Sequence, residues 1–296
     1  MKPQTRSYYE SAVQRTIERI VAGLDEALDL DLLARDACLS PFHFHRVFRG
    51  MVGETPLELS RRLRLERAAW QLVANGRSVT EVAFDAGYET HEAFTRAFRS
   101  SYSTSPTGFR QRRHPRIELA ATCGVHFEAS GRVPAFMPRD TGGQAMQVEI
   151  KTMPELRVAA VRHVGPYNQI PQAFERLGAI VGPNAWPGAV MLAIYHDDPD
   201  AVPQDQLRSD ASVVLPDGVR LPDGLVEQRL PAGRYACALH VGPYEQLGDA
   251  WARFMGEWLP ASEHRVGDGP SYEIYLNDPR RTPREELRTE MYIPIA

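Results

Sequence analysis

Eight residues in the first third of this sequence could read nucleic acid. Phe42, His45, Arg46 and Arg49 form one set, and His91, Glu92, Thr95 and Arg96 form the other. Each set is built on Phe-x-Arg-x-Phe, as Phe44-His45-Arg46-Val47-Phe48 and Phe94-Thr95-Arg96-Ala97-Phe98. Each is followed by a hydroxyl-proline step, Thr55-Pro56 or Ser105-Pro106. Arginine carries a planar fork of donors that matches guanine edges and phosphates, and histidine and threonine add shorter polar contacts. An acid such as Glu92 can accept from a cytosine amino group but is repelled by phosphate.

Helical spacing sorts these residues by face. Phe94, Ala97 and Phe98 fall at i, i+3, i+4 and form a buried stripe, which leaves His91, Glu92, Thr95, Arg96 and Arg99 opposite it. In the other copy Phe44, Val47 and Phe48 bury, so Phe42, His45, Arg46 and Arg49 face outward. A single outward polar row is equally well a solvated helix face. Its repetition, with matched surroundings, favours DNA.

The elements that must position these rows repeat as well. Leu33-Ala34-Arg35-Asp36-Ala37 and Val82-Ala83-Phe84-Asp85-Ala86 read as short helices. A tight turn follows each, at Cys38-Leu39 and Gly87-Tyr88, and Ser40 or Thr90 stands where its hydroxyl caps the next helix. The pattern is two helix-turn-helix units. Tyr8 to Glu26 is expected to be an amphipathic helix bracing the first unit, with Val13, Ile17, Ile20 and Leu24 as its buried stripe. Pro56 to Asn75 is expected to be the central helix, with Arg61, Arg62, Arg64 and Arg67 ringing its outer side. At ~1.5 Å per residue it spans on the order of 30 Å, near the ~34 Å turn of B-DNA, so one chain could address successive major grooves.

Charge follows the same division. Met1 to Arg116 holds 18 Lys+Arg against 14 Asp+Glu, and the remainder holds 16 against 24. A basic front and an acidic body fit one nucleic-acid domain and one domain of another kind. The chain's 296 residues, 43% hydrophobic and 24% charged, suit about two globular domains. Cys38, Cys123 and Cys237 form neither a disulfide framework nor a metal knuckle, and the nine histidines lack metal-ligand spacing. No phosphate loop or serine nucleophile elbow is present, and no apolar run is long enough to span a bilayer. The expectation is a cytoplasmic protein without metal, cofactor, enzymatic role or membrane contact.

Gly87-Tyr88-Glu89-Thr90, Phe94-Thr95-Arg96-Ala97-Phe98 and Ser105-Pro106-Thr107-Gly108-Phe109-Arg110 resemble the DNA-binding domain of AraC/XylS transcriptional regulators. The resemblance covers roughly residues 7 to 113. It implies seven helices, with base contacts from Phe42, His45 and Arg46 in the first unit and from His91, Glu92, Thr95 and Arg96 in the second. It also implies an asymmetric double-stranded promoter site, with RNA polymerase as the expected protein partner. The DNA-binding half comes first, as in the Rob-type arrangement.

Residues 114–147 read as a linker, with Pro115, Pro134, Pro138 and the run Asp140-Thr141-Gly142-Gly143. Ile117 to Phe127 is expected to be a strand or extended segment. The second half then repeats itself: Arg157 to Tyr167 matches Arg234 to Tyr244, and both end in His-Val-Gly-Pro-Tyr. Each copy reads as a strand, a Gly-Pro turn and a helix, the helices carrying Ala173-Phe174-Leu177-Ile180 and Trp251-Phe254-Met255-Trp258. His163 and His240, placed symmetrically before the turns, suit structural hydrogen bonds better than catalysis. Further strands are expected at Ala189 to His196, Ala211 to Leu215, Val226 to Leu230, Ser271 to Asn277 and Arg288 to Ile295. The expected fold class is multidomain: an all-α double helix-turn-helix domain at 1–113, the linker, and an α+β domain at 148–296 with an antiparallel sheet and a pseudo-two-fold repeat.

This half resembles the GyrI-like effector-binding domain. The paired His-Val-Gly-Pro-Tyr elements, Ser271-Tyr272-Glu273-Ile274-Tyr275-Leu276-Asn277-Asp278-Pro279 and Thr289-Glu290-Met291-Tyr292-Ile293-Pro294-Ile295 carry the resemblance. It implies a pocket for a bulky, aromatic or cationic small molecule, with an inward carboxylate ringed by aromatics. Glu273 beside Tyr275 is the first candidate for the carboxylate and Glu290 the second. Tyr167, Tyr244, Trp258, Tyr195 and Tyr292 are the candidate walls. Two alternatives stay open: hydrolysis in the same cleft, or a protein-recruiting module without ligand.

Overall fold

The computed structural model describes residues 4–74, 76–112, 115–139, 146–182, 189–197 and 202–296. Asn75 at the end of the central helix and Asp140 to Gly143 of the expected linker lie outside the described residues. The chain forms two compact units: Tyr9–Cys38 with Phe48–Thr141, and Met1–Tyr8 with Leu39–Val47 and Gly142–Ala296.

Among the described residues, helices α1 (Gln4–Ala22), α2 (Leu30–Asp36), α3 (Pro41–Val52), α4 (Pro56–Ala74), α5 (Val79–Asp85), α6 (His91–Tyr102) and α7 (Pro106–Arg110) run through the first part of the chain. Local chemistry fixes their ends. Cys38 and Gly87, at matching turns, both take the left-handed conformation, with φ of 55° and 82°. The Ser40 Oγ accepts from the His43 amide at 3.3 Å, and the Thr90 Oγ1 accepts from the Ala93 amide at 3.1 Å. The two hydroxyl-proline steps are helix starts: Thr55 and Glu58 cap each other reciprocally at 2.8 and 3.1 Å, and Ser105 accepts from Gly108 at 3.1 Å.

Leu65, Ala68, Ala69 and Leu72 of α4 pack with Val82 and Ala83 of α5, Phe94 and Phe98 of α6, and Phe109 of α7. Truncating a fully buried phenylalanine in such a core costs roughly 3–5 kcal/mol. Of the four α4 arginines expected on the outer ring, Arg61 is exposed and the other three depart from it. Arg62 is buried and pairs with Glu54 and Glu66, Arg64 donates to the carbonyls of Leu24 and Glu26, and Arg67 donates to that of Asp85. Arg62, Arg64 and Arg67 thus brace the helices.

Residues 115–139 of the stretch read as a linker are an integral strap of the helical unit. It forms no strand over 117–127. Fully buried Glu66 of α4 accepts from the Leu119 amide at 2.9 Å and the Phe127 amide at 2.8 Å, and its partner His126 lies 3.0 Å away. Cys123 and Val125 are also fully buried. Backbone donors that would otherwise seek a sheet partner are satisfied by one carboxylate.

The second unit is built on an eight-stranded antiparallel sheet. Its strands are β1 (Val148–Met153), β2 (Leu156–Val164), β3 (Met191–Tyr195), β4 (Arg208–Val214), β5 (Val226–Leu230), β6 (Gly233–Val241), β7 (Tyr272–Tyr275) and β8 (Arg288–Pro294). Their order is β1-β6-β8-β7-β3-β4-β2-β5. Helix α8 (Pro171–Val181) follows β2, and α9 (Leu247–Arg253) follows β6. Strand β1 has no counterpart in the sequence reading. It pairs with β6, while β5 pairs with β2, so each repeat lends its leading strand to the edge of the other. The pseudo-two-fold axis falls where β3 meets β7.

The paired turns need glycine: φ is +135° at Gly165 and +140° at Gly242. The His163 and His240 rings bond the Pro166 and Pro243 carbonyls at 3.1 and 3.2 Å, as their symmetric placement suggested. One sheet face, with Ala159, Ala193, Ala211 and Val213, packs on Ala173 and Leu177 of α8. Leu192, Ile194, Tyr235, Tyr272, Ile274 and Tyr292 form a core on the opposite face.

Candidate effector pocket and nucleic-acid face

A cavity of about 990 Å³ opens within the second unit, over the junction of β3 and β7. Strand alternation brings Glu273 and Tyr275 onto this face, and the repeat brings Tyr195 beside them. Tyr167 and Tyr244, each following a Gly-Pro turn, close the two sides. Tyr167 meets Tyr195 edge-on at 4.8 Å between ring centroids, and Tyr244 meets Tyr275 at 5.4 Å. Phe174 of α8 meets Tyr275 at 5.6 Å.

Glu273 is the charged centre and is 2% exposed. Its Oε1 accepts from Trp251 Nε1 of α9 at 2.6 Å, and its Oε2 accepts from the Tyr275 hydroxyl at 2.9 Å. The Tyr195 and Tyr275 hydroxyls are 3.2 Å apart. Burial pushes the carboxyl up from its ordinary range. The bonds from Trp251 and Tyr275, and the positive charge of Arg46, pull it back toward the anion. Burial, with Glu273 close by, holds the Tyr195 and Tyr275 hydroxyls well above the usual phenol value, so both stay neutral donors.

Arg46 is also part of this lining. It arrives on the segment Leu39–Val47, which belongs to the same compact unit as the sheet. Its guanidinium carbon lies 4.4 Å from the Phe42 ring centroid and 4.8 Å from that of Trp251. Beside it, His43 Nε2 lies 3.0 Å from Ser271 Oγ and His43 Nδ1 lies 2.9 Å from Ser40 Oγ. Burial, and then the Arg46 charge, lower the His43 pKa to about 4, so the ring is neutral.

Five of the eight residues expected in the pocket line it: Tyr167, Tyr195, Tyr244, Glu273 and Tyr275. Glu290, Tyr292 and Trp258 do not. Glu290 pairs with Ile274 and Tyr292 with Tyr272, so both side chains project from the face opposite Glu273. There Glu290 binds Lys151 at 2.8 Å and accepts from Tyr292 at 2.5 Å, and Tyr292 stacks on Tyr272. Trp258 lies beyond the end of α9, against Phe254 and His264.

Trp251 and Phe174 also line the cavity, and the sequence reading did not place them there. Each follows the Gly-Pro tyrosine by seven positions, Tyr244 to Trp251 and Tyr167 to Phe174, and that shared spacing was the available signal.

The two outward rows fare differently. On α6, His91, Glu92 and Arg96 are exposed and Thr95 is half-buried, as helical spacing expects. On α3, Phe42 and His45 are buried, while Arg46 and Arg49 are half-buried. The expected outward face of α3 is therefore covered: Leu39–Val47 packs into the unit that contains the pocket.

Residues 146–296 match the family model described as GyrI-like small molecule binding domain, and residues 33–112 match that of a helix-turn-helix domain. The DNA gyrase inhibitor of Erwinia billingiae (strain Eb661) is 34% identical over 162 residues, covering 51% of this chain and 98% of that protein. Among solved structures, the C-terminal domain of EcmrR is 21% identical with a TM-score of 0.44, covering 52% of this chain and 99% of that one. An AraC-type DNA-binding-domain regulator from Chromobacterium violaceum is 23% identical with a TM-score of 0.33, covering 36% of this chain and 96% of that one.

Proposed function

For a chain that belongs to the GyrI-like small molecule binding domain family, and that carries an AraC-type helix-turn-helix domain ahead of it, we propose that the sensed effector is an aromatic cation. The domain pair itself marks a DNA-binding regulator with an effector-binding domain. One observation carries the finer reading: a single buried carboxylate, Glu273, is held by Trp251 and Tyr275 inside a box of aromatic rings. An aromatic cation satisfies the carboxylate by charge and the rings by contact, each desolvated cation–π pair contributing roughly 1–2 kcal/mol.

The pocket is a sensor in this reading, with no turnover. Both Glu273 oxygens already accept hydrogen bonds, which suits holding charge better than carrying protons. On the DNA side, the proposed base readers are His91, Glu92, Thr95 and Arg96 of α6, with Phe42, His45, Arg46 and Arg49 of α3 in any arrangement that uncovers them. The proposed target is an asymmetric promoter site, with RNA polymerase as protein partner.

Titration of the full chain with naphthamidinium and with its neutral isostere naphthamide tests the pocket. The cation should bind about tenfold more tightly or better. Equal affinity would remove the charge preference, and no saturable binding of either would remove the pocket.

A further inference from the structure

The guanidinium of Arg46 is bound in this structure as a ligand would be. It lies between two aromatic rings, Phe42 at 4.4 Å and Trp251 at 4.8 Å, and Trp251 is the residue whose indole N–H holds Glu273. Arg46, Trp251 and Glu273 line one cavity. The aromatic box is thus already partly filled by a delocalised planar cation from the chain itself.

We propose that Arg46 is an internal stand-in for the effector: an aromatic cation entering beside Glu273 competes with the Arg46 guanidinium for Trp251 and expels the segment Leu39–Val47, freeing Arg46 to contact DNA. The proposal rests on the pocket reading above and adds how occupancy is transmitted.

Three observations support it. First, Glu273 is the one buried carboxylate of the lining, since Glu175, Glu245 and Asp278 are exposed at its rim, and Ala193 stands where the other repeat has Glu273, so a second cation has no second buried acid there. Two like charges over one buried carboxylate repel, and the same indole face cannot stack on both. Second, Arg46 cannot lie over Trp251 and reach a base edge at once, because a base-reading arginine must enter a major groove. Third, contacts at the pocket side of the segment are polar or charged and so can be exchanged for others. His43 bridges Ser40 and Ser271, and Arg46 supplies the charge. A ligand shifts such an equilibrium only through differential affinity, and direct competition for one site supplies it.

The test uses the full-length chain and naphthamidinium as probe, with Arg46→Met, Glu273→Gln and amide hydrogen exchange over residues 39–47 of the unmutated chain. The expected result is that Arg46→Met binds the probe about tenfold more tightly, and that saturating probe raises exchange in residues 39–47 of the unmutated chain. Glu273-dependent binding with no gain in Arg46→Met and no change in exchange would overturn the stand-in while leaving the pocket reading intact. Binding that is absent, or indifferent to Glu273→Gln, would overturn the pocket reading and this proposal with it. The exchange measurement needs no variant, so poor folding of Arg46→Met does not blunt the test.

Discussion

Across the junction of β3 and β7, Glu273 stands directly opposite Ala193. The two residues also occupy the same place in the two repeats. Ala193-Ile194-Tyr195 matches Glu273-Ile274-Tyr275, and Leu207-Arg208 matches Leu287-Arg288 at the same offset. At these paired strand positions the pseudo-two-fold therefore supplies two tyrosines, Tyr195 and Tyr275, but one acid, Glu273. A symmetric frame holds a single buried carboxylate.

That charge is expected to carry most of the selectivity for cations. Glu273→Gln keeps the shape but removes the negative charge, and its amide nitrogen cannot accept the bond that one carboxylate oxygen now takes. Affinity for an aromatic amidinium should fall about 10- to 100-fold, or roughly 1.4–2.8 kcal/mol. Affinity for the neutral amide should change far less. Calorimetric titration of both ligands separates the outcomes, and an equal loss for both would mean that Glu273 acts through shape.

Ala193→Glu would place a second buried carboxylate opposite the first, at a cross-strand Cβ separation of about 4.5–5.5 Å. Two such groups cannot both ionise there without heavy cost. We expect a loss of about 3 kcal/mol of stability at neutral pH, read as a lower thermal midpoint. An unchanged midpoint would show that the Ala193 site is open to water.

His43 gives the docked segment a pH dependence. Released from Ser271 it returns toward an ordinary pKa near 6.5; docked, burial and the neighbouring Arg46 hold it at about 4. The docked state thus binds fewer protons. Its stability is fully present above 6.5 and declines as pH falls toward 4, by on the order of 3 kcal/mol across the window. Ser40 and Ser271, its hydrogen-bonding neighbours, do not titrate there. Proteolysis or hydrogen exchange of residues 39–47 between pH 7.5 and 5 should show progressive release. The dependence should vanish in His43→Gln, and its persistence there would assign it to another group.

Arg96 is exposed on α6. If it reads a base, Arg96→Ala should weaken specific binding by about 1–3 kcal/mol and relax preference at one base pair. Electrophoretic shifts on matched and mismatched sites would distinguish this from phosphate contact, which weakens all sequences alike.

Much of this molecule is legible in the sequence. Ser40, Thr55, Thr90 and Ser105 announce helix starts because a hydroxyl at that position has one obvious task, and period-two alternation marks the strands. Cys38 and Gly87 betray matching turns by position. Alternation within a strand, however, does not say which strand is its neighbour or in what register. The strand of Glu290 and Tyr292 is therefore legible, but not that they face away from Glu273. Likewise, the spacing around Phe42 and His45 separates two faces of α3 but does not say what covers each. Their neighbours His43 and Arg46 meet Ser271 and Trp251, more than 200 positions away, which no helical spacing announces.

The most direct test of the whole account is the coupling between effector and DNA. Genome-wide mapping of bound DNA supplies the site, and its affinity for the full chain is then measured with and without saturating naphthamidinium. Coupling through one equilibrium is reciprocal and typically worth about 5- to 150-fold. The account predicts tighter DNA binding with the cation, by about tenfold, and no response in Glu273→Gln. A chain that bound its site with the same affinity whether or not the pocket was filled would contradict it.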